Sequence, residues 1–121
     1  MANAYARGQQ DTRPWGTWEV IDCGHGFCVK RITVNPGGIL SLQLHHYRAE
    51  HWIIAQGEAT ITLGDLEMNK KCGESVYIPV ETKHRIQNKS AVPMTFIEVQ
   101  IGDNLDENDI IRFEDKYGRV K

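Results

Sequence analysis

The stretch Ile39-Leu-Ser-Leu-Gln-Leu-His-His-Tyr-Arg-Ala-Glu-His-Trp-Ile-Ile-Ala-Gln56 decides the fold of this 121-residue chain. Apolar and polar residues alternate through both halves of it, which is the pattern of two β-strands joined by a short turn. In the first strand one face carries leucines, and the other carries Gln43 and His45. A solvent face usually collects lysine, glutamate and threonine, so this polar face is predicted to line the interior of a barrel.

The same period of two continues through the rest of the chain. The predicted strands are Trp18–Asp22, Phe27–Val34, Ile39–His46, Glu50–Gln56, Glu58–Leu63, Ser75–Pro79, His84–Asn88 and Met94–Ile101. The segment around Ile110–Phe113 is predicted to be either one more short strand or a helical turn over the barrel's mouth. About eight short strands, separated by turns such as Asn35-Pro-Gly-Gly38, predict an all-β barrel or jelly roll.

Composition limits the class of protein. The length suits one domain, predicted to span residues 13–121, after a flexible N-terminal segment over 1–12 that lacks the apolar core of a secretion signal. A net charge of -2 and the absence of a long apolar run predict neither nucleic acid nor a membrane as partner. Cys23, Cys28 and Cys72 are odd in number and are predicted to be free thiols in the cytoplasm.

The leucine face of the first quoted strand bears on association. If Gln43 and His45 face inward, then Leu40, Leu42 and Leu44 face outward, where an apolar strand face needs a cover. The N-terminal segment and a second subunit are the alternatives, and a homodimer is the prediction.

Possible metal ligands are concentrated in the quoted stretch. Glu50 opens its second strand and can face back toward Gln43 and His45, while His84 opens a later strand that a barrel can bring opposite. Two imidazoles, one carboxylate and one amide oxygen suit zinc, or else manganese, nickel, cobalt or iron. Each side chain alone is explained as an ordinary hydrogen-bonding group, and only the spacing predicts a site.

That spacing resembles the two motifs of the cupin superfamily. The first motif is a glycine, five residues, His-x-His, three or four residues, Glu, six residues and a glycine, and the chain places Gly37, Gln43-x-His45, Glu50 and Gly57 there. The second is matched by Gly73, Pro79-x-Glu81, His84 and Asn88, with Glu81 where a turn glycine is usual. The resemblance implies a single-domain cupin, a double-stranded β-helix, with one divalent metal ion bound by Gln43, His45, Glu50 and His84.

Longer stretches resemble the type II mannose-6-phosphate isomerase cupin, which commonly forms the C-terminal part of bifunctional mannose-1-phosphate guanylyltransferases. The stretches are Arg13-Pro-Trp-Gly16, Pro36-Gly-Gly-Ile-Leu-Ser-Leu-Gln43, His45-His-Tyr-Arg-Ala-Glu-His-Trp52, Tyr77-Ile-Pro79, Ile97-Glu-Val-Gln100 and Asp109-Ile-Ile-Arg-Phe-Glu-Asp-Lys-Tyr-Gly-Arg119. The resemblance implies interconversion of mannose 6-phosphate and fructose 6-phosphate through an enediol, without nucleotide transfer. Type I isomerases, on a related cupin core, bind zinc through Gln, His, Glu and His, which supports Gln43 as a ligand.

An isomerase of this kind needs a proton-transfer base and cations for the phosphate. Glu98, on the polar face of Met94–Ile101, is predicted to be the base, and a salt bridge to Arg85 or Arg31 is the alternative. The predicted phosphate ligands are Arg112, Arg48 and Lys83. Alternation turns His46 and His51 away from the metal and places Trp52 beside Glu50, and the acidic run from Asp103 to Asp109 is predicted to be a solvated turn.

Two other functions fit a cupin. One is an oxygenase acting on a small molecule, for which Gln43 is unfavourable, because oxygen chemistry on iron favours three histidines or two with a carboxylate. The other is a sugar-binding cupin without catalysis, which keeps the barrel and lacks a working base.

Overall fold

The computed structural model describes residues 5–106 and 108–118, and these residues form eleven β-strands. Numbered along the chain, the strands are β1 (Gln10–Arg13), β2 (Gly16–Gly24), β3 (Phe27–Val34), β4 (Leu42–Leu44), β5 (Arg48–Gln56), β6 (Glu58–Leu63), β7 (Leu66–Lys71), β8 (Ser75–Ile78), β9 (His84–Gln87), β10 (Met94–Gly102) and β11 (Ile111–Glu114). All eight predicted strands are present, and the segment left open between strand and helical turn is a strand. The alternation does not reveal β1 and β7, because both are edge strands with mostly exposed side chains.

The strands form two antiparallel sheets. One has the order β1-β2-β3-β10-β5-β8 and the other has the order β11-β4-β9-β6-β7. Buried apolar side chains from both sheets, among them Ile32, Phe96, Ile61 and Ile86, form the core. The prediction of an all-β cupin barrel is therefore confirmed. Within the described ranges, no helix has the length and apolar character needed to cross a membrane.

The polar faces of the central strands point into the barrel, as predicted. Glu50 on β5 is 1% exposed, and Glu98 and Gln100 on β10 are 6% and 0% exposed. In the register of β10 with its neighbours, Glu98 lies opposite Trp52 on β5 and opposite Lys30 on β3. Three adjacent strands therefore present a row of functional side chains to the interior.

The expected leucine face is not continuous. The predicted strand Ile39–His46 is reduced to β4, Leu42–Leu44, with Ile39 in an isolated bridge to Gln87. Leu40 belongs to an irregular segment and packs against the core, while Leu42 and Leu44 are half-buried. Interruption of the strand breaks the period of two, so the reason for expecting a cover over three outward leucines does not hold.

Two segments expected to be flexible or solvated are each anchored by one or two buried residues, while most of their other side chains are exposed. Within the segment 1–12, expected to be flexible, Tyr5 is 7% exposed and β1 pairs with β2; residues 1–4 lie outside the described part of the chain. In the run predicted to be a solvated turn, Leu105 is 1% and Asp109 is 9% exposed. The Tyr5 ring packs edge to face on Trp18, and the Asp109 carboxylate accepts hydrogen bonds from the backbone amides of His46 and Tyr47, partners that the local sequence does not show.

Candidate functional site

Three of the four predicted metal ligands meet inside the barrel. One donor atom each from His45, Glu50 and His84 lies within 4.8 Å of the other two, and all three residues are at most 3% exposed. The Nε2 atom of His45 is 3.3 Å from Glu50 Oε2, and that of His84 is 4.0 Å from Glu50 Oε1. His45 follows β4, Glu50 lies on β5 and His84 opens β9, so three strands bring the group together.

Backbone carbonyls orient both imidazoles. His45 Nδ1 is 2.6 Å from the carbonyl oxygen of Asp109, and His84 Nδ1 is 2.8 Å from that of Thr82. A carbonyl can only accept, so each Nδ1 carries the proton and each Nε2 keeps its lone pair toward Glu50. Burial lowers the pKa of His45 to about 4 and also lowers the pKa of His84, so both rings are neutral at pH 7. Neutral imidazoles with Nε2 exposed to the site are what a divalent ion requires.

Arg48 is the resident counter-charge of this group. Its Nε donates to Glu50 Oε2 at 2.9 Å, and its Nη2 donates to His45 Nε2 at 3.2 Å. Burial alone would raise the pKa of Glu50, but the guanidinium of Arg48 holds that pKa well below its usual range. Arg48 is itself 7% exposed, and its Nη1 has no hydrogen-bond partner among the described residues.

Gln43, the fourth predicted ligand, lies beside the group. It pairs in register with His84 and lines both cavities that border the site. Its Nε2 donates to Ser41 Oγ at 3.0 Å and to the Ser41 carbonyl at 3.3 Å. Because the amide nitrogen is engaged, Oε1 is the atom available to an ion, and the complete set of two imidazoles, a carboxylate and an amide oxygen fits a divalent metal.

Glu98 lies next to the metal ligands and is chemically distinct from Glu50. Trp52 Nε1 donates to Glu50 Oε1 at 2.9 Å and to Glu98 Oε1 at 3.2 Å, and Gln100 Nε2 donates to Glu98 Oε2 at 2.8 Å. Burial, together with the nearby carboxylate of Glu50, raises the pKa of Glu98 to about 7. The pKa values of the two neighbouring carboxyl groups are therefore driven apart. Glu50 is ionised, and Glu98 can both give and take a proton at neutral pH.

A cavity of about 230 Å³ opens beside this group. Its lining includes four cationic side chains, namely Arg13, Lys30, Arg48 and Arg112, and aromatic rings of Tyr5, Trp15 and Trp18. Among the described residues that line the cavity, Glu98 is the only one with a carboxyl group. Positive charge and ring faces around one carboxyl suit an anionic, partly apolar small molecule.

Comparison with known proteins agrees with these features. The family model described as "Mannose-6-phosphate isomerase C-terminal" matches residues 2–115. This chain belongs to that family. It is 53% identical over 108 residues to the xanthan biosynthesis protein XanB of Xanthomonas campestris and 48% identical over 109 residues to the mannose-1-phosphate guanylyltransferase of Escherichia coli. Each alignment covers 89% of this chain and 23% of the relative, so the chain spans about a quarter of the length of these relatives.

Solved structures agree on the fold. A Klebsiella pneumoniae protein with a double-stranded β-helix domain superposes with a TM-score of 0.71 at 18% identity, covering 93% of this chain and 90% of its own. At that identity the likeness concerns the fold alone. The sequence comparison thus shows the family, and the structural comparison shows the double-stranded β-helix fold of a cupin.

In this member of the isomerase family, the structure brings some of the predicted catalytic and phosphate-binding side chains to the cavity and leaves others outside it. Glu98 lines the cavity. The alternative, a salt bridge from Glu98 to Arg85 or Arg31, is not formed, because Arg31 pairs with Glu19 and Arg85 pairs with Glu114. Arg112 lines the cavity. Lys83 is not among the described residues lining the cavities, and its Nζ lies 4.4 Å above the ring of Phe113, so the structure does not bring this predicted phosphate ligand to the site.

The remaining histidines are surface groups. His46 is exposed and its Nδ1 is 3.3 Å from Glu81, while the ring of His51 packs against Tyr77 with centroids 4.7 Å apart. Both point away from the ligands, as alternation predicts. Trp52 lies beside Glu50 as predicted, where it lines the smaller cavity, packs in the core and donates to two carboxyl groups.

Three residues of the site were not predicted as functional: Arg13, Lys30 and Asp109. Alternation along β3 puts Lys30 on the same face as Cys28, Ile32 and Val34, all buried, and this is a signal for an inward lysine. Arg13 and Asp109 offer no such local signal, because only tertiary packing brings them to the cavity and to the ligand loop.

Proposed function

We propose that this chain is a metal-dependent aldose–ketose isomerase that interconverts mannose 6-phosphate and fructose 6-phosphate, with zinc as the ion. The observation that carries the proposal is the pairing of a three-donor group, His45, Glu50 and His84, with an adjacent carboxyl group whose pKa is raised to about 7. A divalent ion held by these three residues and Gln43 would polarise the sugar carbonyl and stabilise negative charge that develops on its oxygen. An amide ligand in place of a second carboxylate preserves the positive charge of such an ion.

The protein's own residues divide the remaining work. Isomerisation moves one carbon-bound proton between C2 and C1 and one hydroxyl proton between O2 and O1. Glu98 takes the proton from C2 as a carboxylate and returns it to C1 as a carboxylic acid, a task for which a pKa near the working pH is best. Trp52 and Gln100 hold both oxygens of Glu98 in place during the transfer.

The free state of Cys23, Cys28 and Cys72 supports a reducing compartment such as the cytoplasm as the site of action. The homodimer stays a prediction, and sedimentation equilibrium of the purified chain tests it.

The decisive experiment is a coupled assay for fructose 6-phosphate produced from mannose 6-phosphate, with metal content measured on the same sample. We expect turnover that a chelator abolishes, loss of both metal and turnover in His84→Ala, and about a hundredfold or greater loss of kcat in Glu98→Gln with metal retained. Glu67→Gln, an exposed carboxyl on β7, is the matched control and should keep full activity.

Proton exchange gives a second readout. In deuterated water the wild-type chain should place deuterium at C1 or C2, and Glu98→Gln should not. A metal-loaded wild-type chain without turnover would refute the isomerase and favour a sugar-binding cupin. Full activity in Glu98→Gln would refute this residue as the base.

A further inference from the structure

Lys30 is a buried cation that forms no ion pair in the described ranges, although it lies opposite Glu98 on β10 and its charge acts to lower the pKa of that group. It is 7% exposed, and no carboxylate of residues 5–106 or 108–118 forms an ion pair with it. Its Nζ lies 3.8 Å from the ring centroid of Tyr5 and 4.4 Å from that of Trp18. Cation–π contacts fix the ammonium group but leave its hydrogens available, and removing a lysine from water without an anion is costly.

The two rings form a rigid cage around this ammonium group. Tyr5 and Trp18 meet edge to face, with centroids 5.9 Å apart and planes at 83°. A second cation lies near Trp18, because the Cζ atom of Arg13 is 6.0 Å from the centroid of the Trp18 ring. Lys30, Arg13 and both rings line the large cavity. Arg13 also pairs with Asp11 through Nη1, so Lys30 is the cation of this wall that has no ion pair within the described part of the chain, and Arg13 lies beside it on the same aromatic face.

The register of the sheet sets the distance from Lys30 to Glu50, the proposed metal ligand that lies on the same sheet. Glu50 and Trp52 lie on β5, Glu98 on the next strand and Lys30 on the strand after that. Neighbouring strands are about 4.8 Å apart, so the backbone of Lys30 is separated from that of β5 by roughly 10 Å, with Glu98 between them. This order matches the reacting molecule, in which the carbonyl carbons lie at one end and the phosphate at the other.

We propose that Lys30, assisted by Arg13, binds the phosphate group of the sugar phosphate, on the side of Glu98 opposite to the metal ligands. The identity of the ligand rests on the proposed function, whereas the anion site itself rests on Lys30, its aromatic cage and the charge of the cavity. Arg112 and Arg48 line the same cavity, so the dianion meets positive charge on more than one side. Lys30 then acts as a specificity residue that separates phosphorylated from neutral sugars.

Isothermal titration of the metal-loaded chain with inorganic phosphate, mannose 6-phosphate and mannose tests this site. We expect Lys30→Met to weaken binding of both phosphate ligands by about tenfold or more, Lys30→Arg to retain most of it, and neither to change metal content. Lys89→Met, an exposed lysine beside Glu67, is the matched control and should bind as the wild type does. In turnover, Lys30→Met should raise KM for mannose 6-phosphate far more than it lowers kcat.

Two results would overturn the phosphate site. The first is a phosphate affinity of Lys30→Met within twofold of the wild-type affinity. The second is phosphate binding that a chelator abolishes but Lys30→Met does not, which would mean that the phosphate binds to the metal. If circular dichroism shows that Lys30→Met does not fold, the same titration is made with Arg13→Gln. The Arg13 side chain is 36% exposed, so its replacement should leave the fold intact. Arg13→Gln should weaken phosphate binding about threefold, and unchanged affinity there would overturn the site.

The two proposals fail separately. If phosphate binding depends on Lys30 but the wild-type chain does not isomerise mannose 6-phosphate, the anion site stands and the isomerase does not. If the wild-type chain isomerises mannose 6-phosphate and Lys30→Met binds and converts it equally well, the isomerase proposal stands and the anion site does not.

Discussion

The Nδ1 atom of His45 lies 2.6 Å from the backbone carbonyl oxygen of Asp109, 64 positions further along the chain. The side chain of the same Asp109 accepts hydrogen bonds from the backbone amides of His46 at 2.9 Å and Tyr47 at 3.0 Å. One residue of the C-terminal tail therefore orients a proposed metal ligand and fixes the turn that leads to Glu50.

Asp109→Ala should weaken both the fold and the metal site. Loss of two part-buried, charge-assisted hydrogen bonds should lower the free energy of unfolding by about 2–3 kcal/mol, and disorder of the His45 ring should lower metal affinity about tenfold or more. Urea unfolding and metal titration measure the two effects. Asp106→Ala, which removes one exposed bond to the amide of Asn108, is the control and should do neither. Equal metal affinity in both variants would contradict this role of Asp109.

Arg48→Met should affect stability and metal affinity in opposite directions. Without the guanidinium, the carboxylate of Glu50 is buried without its counter-charge, which should destabilise the metal-free chain by about 3–5 kcal/mol. A cation beside the ligands also repels an incoming cation, so its removal should raise metal affinity about tenfold or more.

Unfolding in chelator and competition with a metal indicator dye test Arg48→Met. Arg31→Met, which breaks an exposed pair with Glu19, is the control and should cost less than about 1 kcal/mol. Metal binding that weakens in Arg48→Met would show that Arg48 supports the ion and does not compete with it.

Glu98 should make the stability of the metal-free chain depend on pH. Its pKa is raised from 4.5 to about 7 in the folded state, so between those values the native protein binds more protons than the unfolded chain. The stabilising contribution is therefore complete below about pH 4.5 and is lost as pH rises through 7, by about 3 kcal/mol at most.

The comparison of wild type with Glu98→Gln isolates this effect, since the amide does not titrate. The difference in unfolding free energy between the two chains, measured in urea at several pH values, should shift in favour of Glu98→Gln from pH 4.5 to 7. Glu67→Gln should follow the wild-type curve. A constant difference between wild type and Glu98→Gln would mean that Glu98 ionises normally in the native state.

Glu81→Gly should stabilise the fold. Glu81 has a φ of 56°, a left-handed conformation that costs a side chain about 1 kcal/mol and costs glycine little. Its ion pair with His46 is largely exposed and contributes little. We expect the free energy of unfolding to rise by up to about 1 kcal/mol, with Glu67→Gly, on a strand, falling by about 0.5–1 kcal/mol. A loss of stability at position 81 would mean that the side chain matters more than the backbone.

The barrel follows from the amino-acid sequence alone, because the period of two along strands such as β5 and β10 reflects which side chains meet water. The same period assigned Glu50 and Glu98 to the inner face and His46 and His51 to the outer one. Motif spacing selected His45, Glu50 and His84, which the fold brings together.

The charge states and many of the contacts within that interior depend on the folded arrangement of the two sheets. No local pattern shows that Asp109 fixes the His45 ring, that Lys83 lies over Phe113 or that Arg13 lines the cavity. The physical reason is that alternation specifies a face of a strand, whereas pKa values and ion pairs depend on distances between segments far apart in sequence. Those distances arise only when the two sheets close on each other.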